Sequence, residues 1–306
     1  MKILIATEKP FAKIAIDGIR KIIESSGHEL NLLEKYTDVS QLLSAVADAD
    51  ALIVRSDKVT AQVIAAAKKL KTVVRAGAGF DNLDLNACTE KNIVAMNTPG
   101  QNSNAVAELV LGLMIFMSRN KFCAGTGKEL KGKKLGLHAY GNVGRMVARI
   151  AKGFDMQIWA FDPFVKKEAM QADGITAVDK VEDLYSNCDY VSLHIPANET
   201  TKKSINYKLL NLMPEGGCLI NAARREIIDE DDLIKLFEER TDIKYATDVA
   251  PSNIAELQQK FDARIFATPK KTGAETAEAN INAGLAAAVQ IINFFKNGDT
   301  TFQLNK

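Results

Sequence analysis

Histidine is scarce in this 306-residue chain, which has only His28, His138 and His194. No metal site built on closely spaced histidines and cysteines is expected from so few. The four cysteines, Cys88, Cys123, Cys188 and Cys218, lie far apart and form no C-x-x-C pair. That spacing argues against a disulfide framework and for a reducing, cytoplasmic setting. Excess charge of either sign is also lacking: the net charge is +1 and the basic residues are spread along the chain. Neither a nucleic-acid groove nor a polybasic membrane surface is expected. The longest apolar helix candidate, residues 105–117, contains Glu108 and cannot span a bilayer. The opening residues 1–7 turn polar after a few apolar positions, too soon for a signal-peptide core and well suited to a first buried strand.

What is present is a core-forming composition, 47% hydrophobic, in a chain long enough for two domains. Short β-rich runs at 3–6, 51–54, 72–75 and 93–95 alternate with amphipathic stretches. A second series runs 135–138, 157–161, 190–194, 217–221, 245–248 and 265–267. Strand, helix, strand repetition predicts parallel sheets covered on both faces, hence an α/β fold with two doubly wound domains. The polar turn Asn97-Thr98-Pro99-Gly100-Gln101-Asn102-Ser103 marks the first boundary, and the alanine-rich final helix, 277–296, can pack back on the first domain. The domains expected are therefore 1–98 with 274–306, and an inserted 99–273.

The segment 134–162 reads as a strand, a turn Ala139-Tyr140-Gly141-Asn142-Val143-Gly144, a helix, a second strand and a terminal acid, Asp162. This is the layout of a dinucleotide-binding βαβ unit, with alanine where the first glycine belongs. Gly141 would let the backbone approach a pyrophosphate, and Gly144 would let the helix pack on the strand. The N–H groups of Asn142 and Val143 at the helix start would face the anion. Asp162 would accept the ribose hydroxyls and, by repelling a 2′-phosphate, favour NAD over NADP.

Four segments in order resemble D-2-hydroxyacid dehydrogenases over nearly the whole chain: Val74-Arg75-Ala76-Gly77-Ala78-Gly79-Phe80-Asp81-Asn82, the fingerprint turn, Leu219-Ile220-Asn221-Ala222-Ala223-Arg224, and Ala246-Thr247-Asp248-Val249. The resemblance implies a Rossmann NAD-binding domain inserted in a flavodoxin-like substrate-binding domain. It implies that Arg224 is catalytic, whereas from the residues alone Arg224 could serve the helix that starts near Asp229. It places Ala222, Asp248 and His194 beside the cofactor. Gly77, Ala78 and Gly79 would offer N–H groups to a carboxylate. Arg55 and Lys58 would be counter-charges for a phosphorylated 2-hydroxy acid, and would matter little for glyoxylate or hydroxypyruvate.

Departures from the family concern proton transfer. The usual Pro-His is Thr268-Pro269-Lys270, and the usual orienting glutamate is missing from Asp248-Val249-Ala250-Pro251-Ser252-Asn253. An imidazole needs a carboxylate to fix its tautomer, but an ammonium has none to fix, so Lys270 is the expected acid and base. Desolvation and neighbouring cations would have to lower its pKa. Glu256 is a weaker candidate for an orienting carboxylate. Arg225 replaces a usual glycine and adds charge beside the site. The short stretch from Arg119 to Lys133 lacks the longer segment with which relatives build a homodimer. An NAD-sensing protein without chemistry is the rival from another class.

Overall fold

The computed structural model describes residues 1–306. Two compact units divide the chain: Met1–Asn102 with Thr276–Lys306, and Ser103–Glu275. The first unit opens with β1 (Lys2–Thr7), α1 (Lys13–Ser25), β2 (Glu29–Glu34), α2 (Val39–Val46), β3 (Ala51–Val54), α3 (Ala61–Ala66), β4 (Thr72–Arg75), α4 (Leu85–Glu90) and β5 (Val94–Asn97). Its strands pair in parallel in the order β2-β1-β3-β4-β5, the flavodoxin-like order, whose switch point lies between β1 and β3.

Strand β2 is absent from the apolar runs that predict the other four. It is an edge strand in which only Leu30 is buried, and Leu32 is 39% exposed. Its three leucines, Leu30, Leu32 and Leu33, are interrupted by Asn31 and flanked by Glu29 and Glu34, so they form no continuous apolar run. The interior strands show the opposite pattern, all four residues of β3 being buried.

The second unit comprises α5 (Ser103–Ser118), β6 (Lys134–His138), α6 (Asn142–Lys152), β7 (Gln157–Phe161), α7 (Lys167–Ala172), β8 (Thr176–Ala177), α8 (Val181–Asn187), β9 (Tyr190–Leu193), α9 (Tyr207–Leu210), β10 (Cys218–Asn221), α10 (Glu230–Glu239), β11 (Lys244–Thr247), α11 (Ile254–Phe261) and β12 (Ile265–Ala267). Its sheet is wholly parallel, ordered β12-β11-β10-β9-β6-β7-β8. Seven strands replace the six expected, because β8 is a two-residue edge pairing too short to leave a pattern. The switch point falls between β6 and β9, at the fingerprint turn.

The short stretch after α5 closes in an unusual way. Asn120, Lys121 and Phe122 all have positive φ, at 51°, 59° and 59°. Lys121 Nζ pins the turn by donating to the Asp262 carbonyl and carboxylate, at 2.8 and 3.1 Å.

The chain returns to the first unit as α12 (Ala277–Asn297), capped by the Thr276 hydroxyl accepting from Ala279 N (3.1 Å) and ended by Gly298 in a left-handed conformation. Ile3, Ile5, Ile53 and Val74 point to one face of the first sheet, where Ala283, Ala287, Ala288 and Ile291 of α12 join them. Leu4, Ala6, Leu52 and Val73 point to the other. Because Ile291 is wholly buried, Ile291→Ala should destabilise the protein by about 2–5 kcal/mol in denaturant titration. A change near zero would detach α12 from this core.

Candidate active site

In each unit the candidate residues lie beyond the carboxyl ends of the strands. In the first unit Arg55 directly follows β3. Its guanidinium donates to the carbonyls of Lys9 (2.8 Å) and Pro10 (3.1 Å) and to Asn280 Oδ1 (2.6 Å), and lies 5.1 Å from the Phe11 ring centre. Much of its donor fork thus braces the loop after β1, which tempers its expected role as a simple counter-charge. Lys58 is exposed.

Gly77 has φ 151°, and a β-carbon there would collide with the Arg75 guanidinium. Its N–H donates to the Arg75 carbonyl (2.9 Å), while Asn97 Nδ2 and Thr98 N hold the carbonyls of Ala78 (2.6 Å) and Gly77 (3.0 Å). The N–H groups of Ala78 and Gly79 remain the ones this turn can offer an anion. Arg75 was not singled out from sequence. Its signal is an arginine closing a strand that is otherwise buried, immediately before the glycine turn, and its Nε donates to the Arg55 carbonyl (3.0 Å).

The fingerprint turn of the second unit explains its imperfect motif. Ala139, in the first glycine's place, has φ 85°, a conformation that glycine adopts without strain. A β-carbon on Gly144 would lie 2.5 Å from the Ala139 carbonyl oxygen, whereas one on Gly141 would meet nothing within 4 Å. Gly144 therefore serves helix packing and Gly141 borders open space. No side chain caps α6, so the N–H groups of its first turn, Asn142 and Val143 among them, lack a side-chain acceptor. Asp162 accepts from Tyr140 N and Phe164 N, both at 2.8 Å, which fixes its carboxylate beside the turn. These features fit a dinucleotide phosphate and ribose.

At the end of β10, the buried Asn221 clamps the next turn: its Nδ2 donates to the Arg224 carbonyl (2.9 Å) and its Oδ1 accepts from Ala223 N (3.0 Å). Ala222 is buried within that clamp, and Arg224 is half-buried with Nη1 on the Ala223 carbonyl (3.0 Å). Asp248, 1% exposed, accepts through Oδ2 from Thr272 N (3.2 Å) and Gly273 N (2.7 Å), while its Oδ1 is buried without a partner. The Thr268 hydroxyl donates to the Lys270 carbonyl at 2.7 Å. The loop that carries Lys270 is thus held at both ends, but Lys270 itself is exposed. Its own unit does not supply the desolvation expected for it.

Glu256 lies exposed on α11 and pairs with Lys260 at 2.9 Å, so it orients nothing in this group. Arg225 is also exposed and lines a separate cavity of about 390 Å³ with Lys202, Lys203, Glu226 and Glu230. His194 packs against Gly144, donates from its backbone N–H to the His138 carbonyl (2.9 Å), and has a buried, unpartnered Nε2. No three His, Cys, Asp or Glu side chains converge to hold a metal ion. No helix is long and apolar enough to cross a membrane.

Residues 113–278 match the family model of the NAD-binding domain of D-isomer specific 2-hydroxyacid dehydrogenases. The chain belongs to that family. A D-3-phosphoglycerate dehydrogenase of Methanocaldococcus jannaschii is 36% identical over 89% of this chain and 54% of its own length. A hydroxypyruvate reductase of Thermotoga maritima is 34% identical over 86% of this chain and 90% of its own. The crystal structure of NAD⁺-bound 3-phosphoglycerate dehydrogenase from Entamoeba histolytica aligns with a TM-score of 0.89 and 50% identity, covering 100% and 99% of the two chains. The chain spans about half the length of the curated phosphoglycerate dehydrogenases of M. jannaschii and Archaeoglobus fulgidus. As a member of the dehydrogenase family, it carries the NAD-binding domain in its second unit.

Two histidines of this unit give a pH prediction. Burial pushes His138 down to about 4, and burial with the nearby His138 pushes His194 down to about 3. The unfolded chain binds these protons near pH 6.5, so it holds more protons than the folded state between there and about pH 4. Stability should therefore fall as pH drops from 7 to 5, by on the order of 1–2 kcal/mol per buried ring. Denaturant titrations at both pH values check this, with His138→Phe removing about half of the difference because His194 remains.

Proposed function

We propose that the chain oxidises 3-phospho-D-glycerate to 3-phosphohydroxypyruvate with NAD, the first step of serine synthesis. The observation that carries this reading is the 50% identity, over both full lengths, to the E. histolytica phosphoglycerate dehydrogenase. The first unit is then the substrate-binding domain and the second the NAD-binding domain. The uncapped start of α6 and the open face of Gly141 would receive the pyrophosphate, and Asp162 the ribose. The unpaired Asp248 Oδ1 is the acceptor that a carboxamide N–H₂ would satisfy, with His194 and Ala222 lining the same edge.

Bound NAD would supply the acceptor for the hydride leaving C2. Arg224 would hold the substrate carboxylate through paired donors and draw charge toward the C2 oxygen. The N–H groups of Ala78 and Gly79 would bind carboxylate oxygen, and Arg55 and Lys58 would balance the phosphate. Lys270 Nζ, deprotonated, would take the hydroxyl proton and return it in the reverse direction.

The T. maritima relative supports a neighbouring reading, reduction of hydroxypyruvate or glyoxylate. An absorbance assay at alkaline pH with NAD and a panel of 2-hydroxy acids separates the two. Neutralising Arg55 and Lys58 should impair a phosphorylated substrate and spare glyoxylate. Action as a homodimer in the cytoplasm completes the proposal, and light scattering on the purified protein tests the dimer.

Cofactor choice follows from Asp162. Catalytic efficiency should favour NAD over NADP, and Asp162→Ala should narrow the gap; equal efficiency in the wild type would count against the assignment. Arg224→Ala should lower activity by at least about a hundredfold while NAD still binds, since it removes a bidentate anchor that also steadies the transition state. For Lys270→Ala the expected loss is about 10²–10⁴, with disappearance of the ionisation that raises activity with pH. Arginine does not deprotonate, so substantial activity in Lys270→Arg would sink the proton-carrier role. Partial activity in Lys270→His, with the profile moved to lower pH, would support it.

A further inference from the structure

Beyond the residues already assigned, the first unit holds an ionisable group on which its carboxyl edge converges. Asp57 is 4% exposed. Its Oδ1 accepts from Glu8 N (2.7 Å) in the turn after β1 and from the Tyr36 hydroxyl (2.9 Å) in the turn after β2. Its Oδ2 accepts from Arg55 N (3.3 Å) after β3, and its backbone carbonyl accepts from Asn82 Nδ2 (2.7 Å) after β4. One residue thereby ties together four turns on both sides of the β1/β3 switch point, the place where an open parallel sheet binds its ligand.

We infer that Asp57 is a positioning residue that sets the geometry of the anion-binding edge of the first unit. This rests on the reading of that edge as the phosphorylated substrate's site. The charge argument favours position over attraction. A buried carboxylate beside Arg55 and Lys58 opposes a substrate anion, so its presence is not explained by complementarity to that anion. It is explained by its lone pairs. Two backbone N–H groups and a hydroxyl point at it, and a carboxylate is the side chain that accepts from all of them without presenting a donor. Asparagine has the same shape but would turn an amide N–H₂ toward Arg55 N or Glu8 N. Either clash would loosen the Arg55 turn or the Glu8 to Pro10 loop, which Arg55 itself braces through the Lys9 and Pro10 carbonyls.

The test compares wild type, Asp57→Asn and Tyr36→Phe by steady-state kinetics, with 3-phosphoglycerate and NAD varied separately and thermal unfolding run alongside. Asp57→Asn should raise KM for 3-phosphoglycerate by about tenfold or more, equivalent to about 1.4 kcal/mol. KM for NAD should stay within about twofold, because the residues assigned to the cofactor belong to the other unit, and kcat should change less than KM. Tyr36→Phe, which removes one donor and keeps the carboxylate, should give a smaller rise of about threefold with KM for NAD again unmoved. This milder variant decides the matter if Asp57→Asn does not fold. An unchanged KM for 3-phosphoglycerate in a folded variant would overturn the inference, as would parallel rises in both KM values together with a lowered melting temperature. If the wild type itself turned over no 2-hydroxy acid, the functional reading would fall and this inference with it; normal turnover in the wild type and both variants would overturn the inference alone.

Discussion

A parallel sheet sends the carboxyl end of every strand to the same edge, and the candidate chemistry in each unit depends on that constraint. Strands β6, β7, β10, β11 and β12 deliver the fingerprint turn, Asp162, Arg224, Asp248 and Lys270 to one edge of the second sheet. Strands β3 and β4 deliver Arg55 and the Gly77 turn to one edge of the first. The constraint places the loops but does not shape them, since each leaves its strand with backbone groups that the ladder no longer satisfies. A polar side chain does the shaping, buried in all but Asp162: Asn221 clamps the Arg224 turn, Asp248 the Thr272 and Gly273 backbone, Asp162 the fingerprint turn and Asp57 the Arg55 turn. Three of these four are carboxylates, and a carboxylate is the natural clamp where several N–H groups converge.

This division explains what was legible in the sequence. Interior strands such as β3 bury every residue, so an apolar run announces them, and the fingerprint's strand, turn, helix and acid occur in one contiguous segment. The edge strands β2 and β8 bury little and left no continuous apolar run. Among candidate site residues, Gly141, Gly144 and Asp162 could be singled out from the spacing of one short motif, and Arg224 from the family resemblance of the segment that ends in it. Asp57 and Arg75 were missed because their significance lies in partners far along the chain, Glu8 and Tyr36 for one and the Arg55 carbonyl for the other. Only the packed sheet brings those partners together.

The fingerprint turn shows how a motif can lose a residue and keep its geometry. The first position still adopts the positive φ that glycine would take without strain, and Ala139 bears that conformation at a cost of about 1 kcal/mol or more. Gly144 has no such latitude, because the Ala139 carbonyl occupies the space a side chain would need. Of the two contacts between turn and helix, strain at one can be absorbed by the fold, whereas a steric collision at the other cannot.

Proton transfer poses the sharper physical problem. A general base works best when its pKa lies near the operating pH, which is ordinarily histidine's advantage. The second unit has two histidines, and burial has taken that advantage from both: His138 is held to about 4 and His194 to about 3. Rings so weakly basic are poor acceptors of a hydroxyl proton at neutral or alkaline pH, so both are suited to remaining neutral. Lys270, the base proposed in their place, is exposed on the loop after β12. The proposed base is therefore drawn from the open carboxyl edge of the sheet, where Arg224 also stands, and not from the two histidine rings.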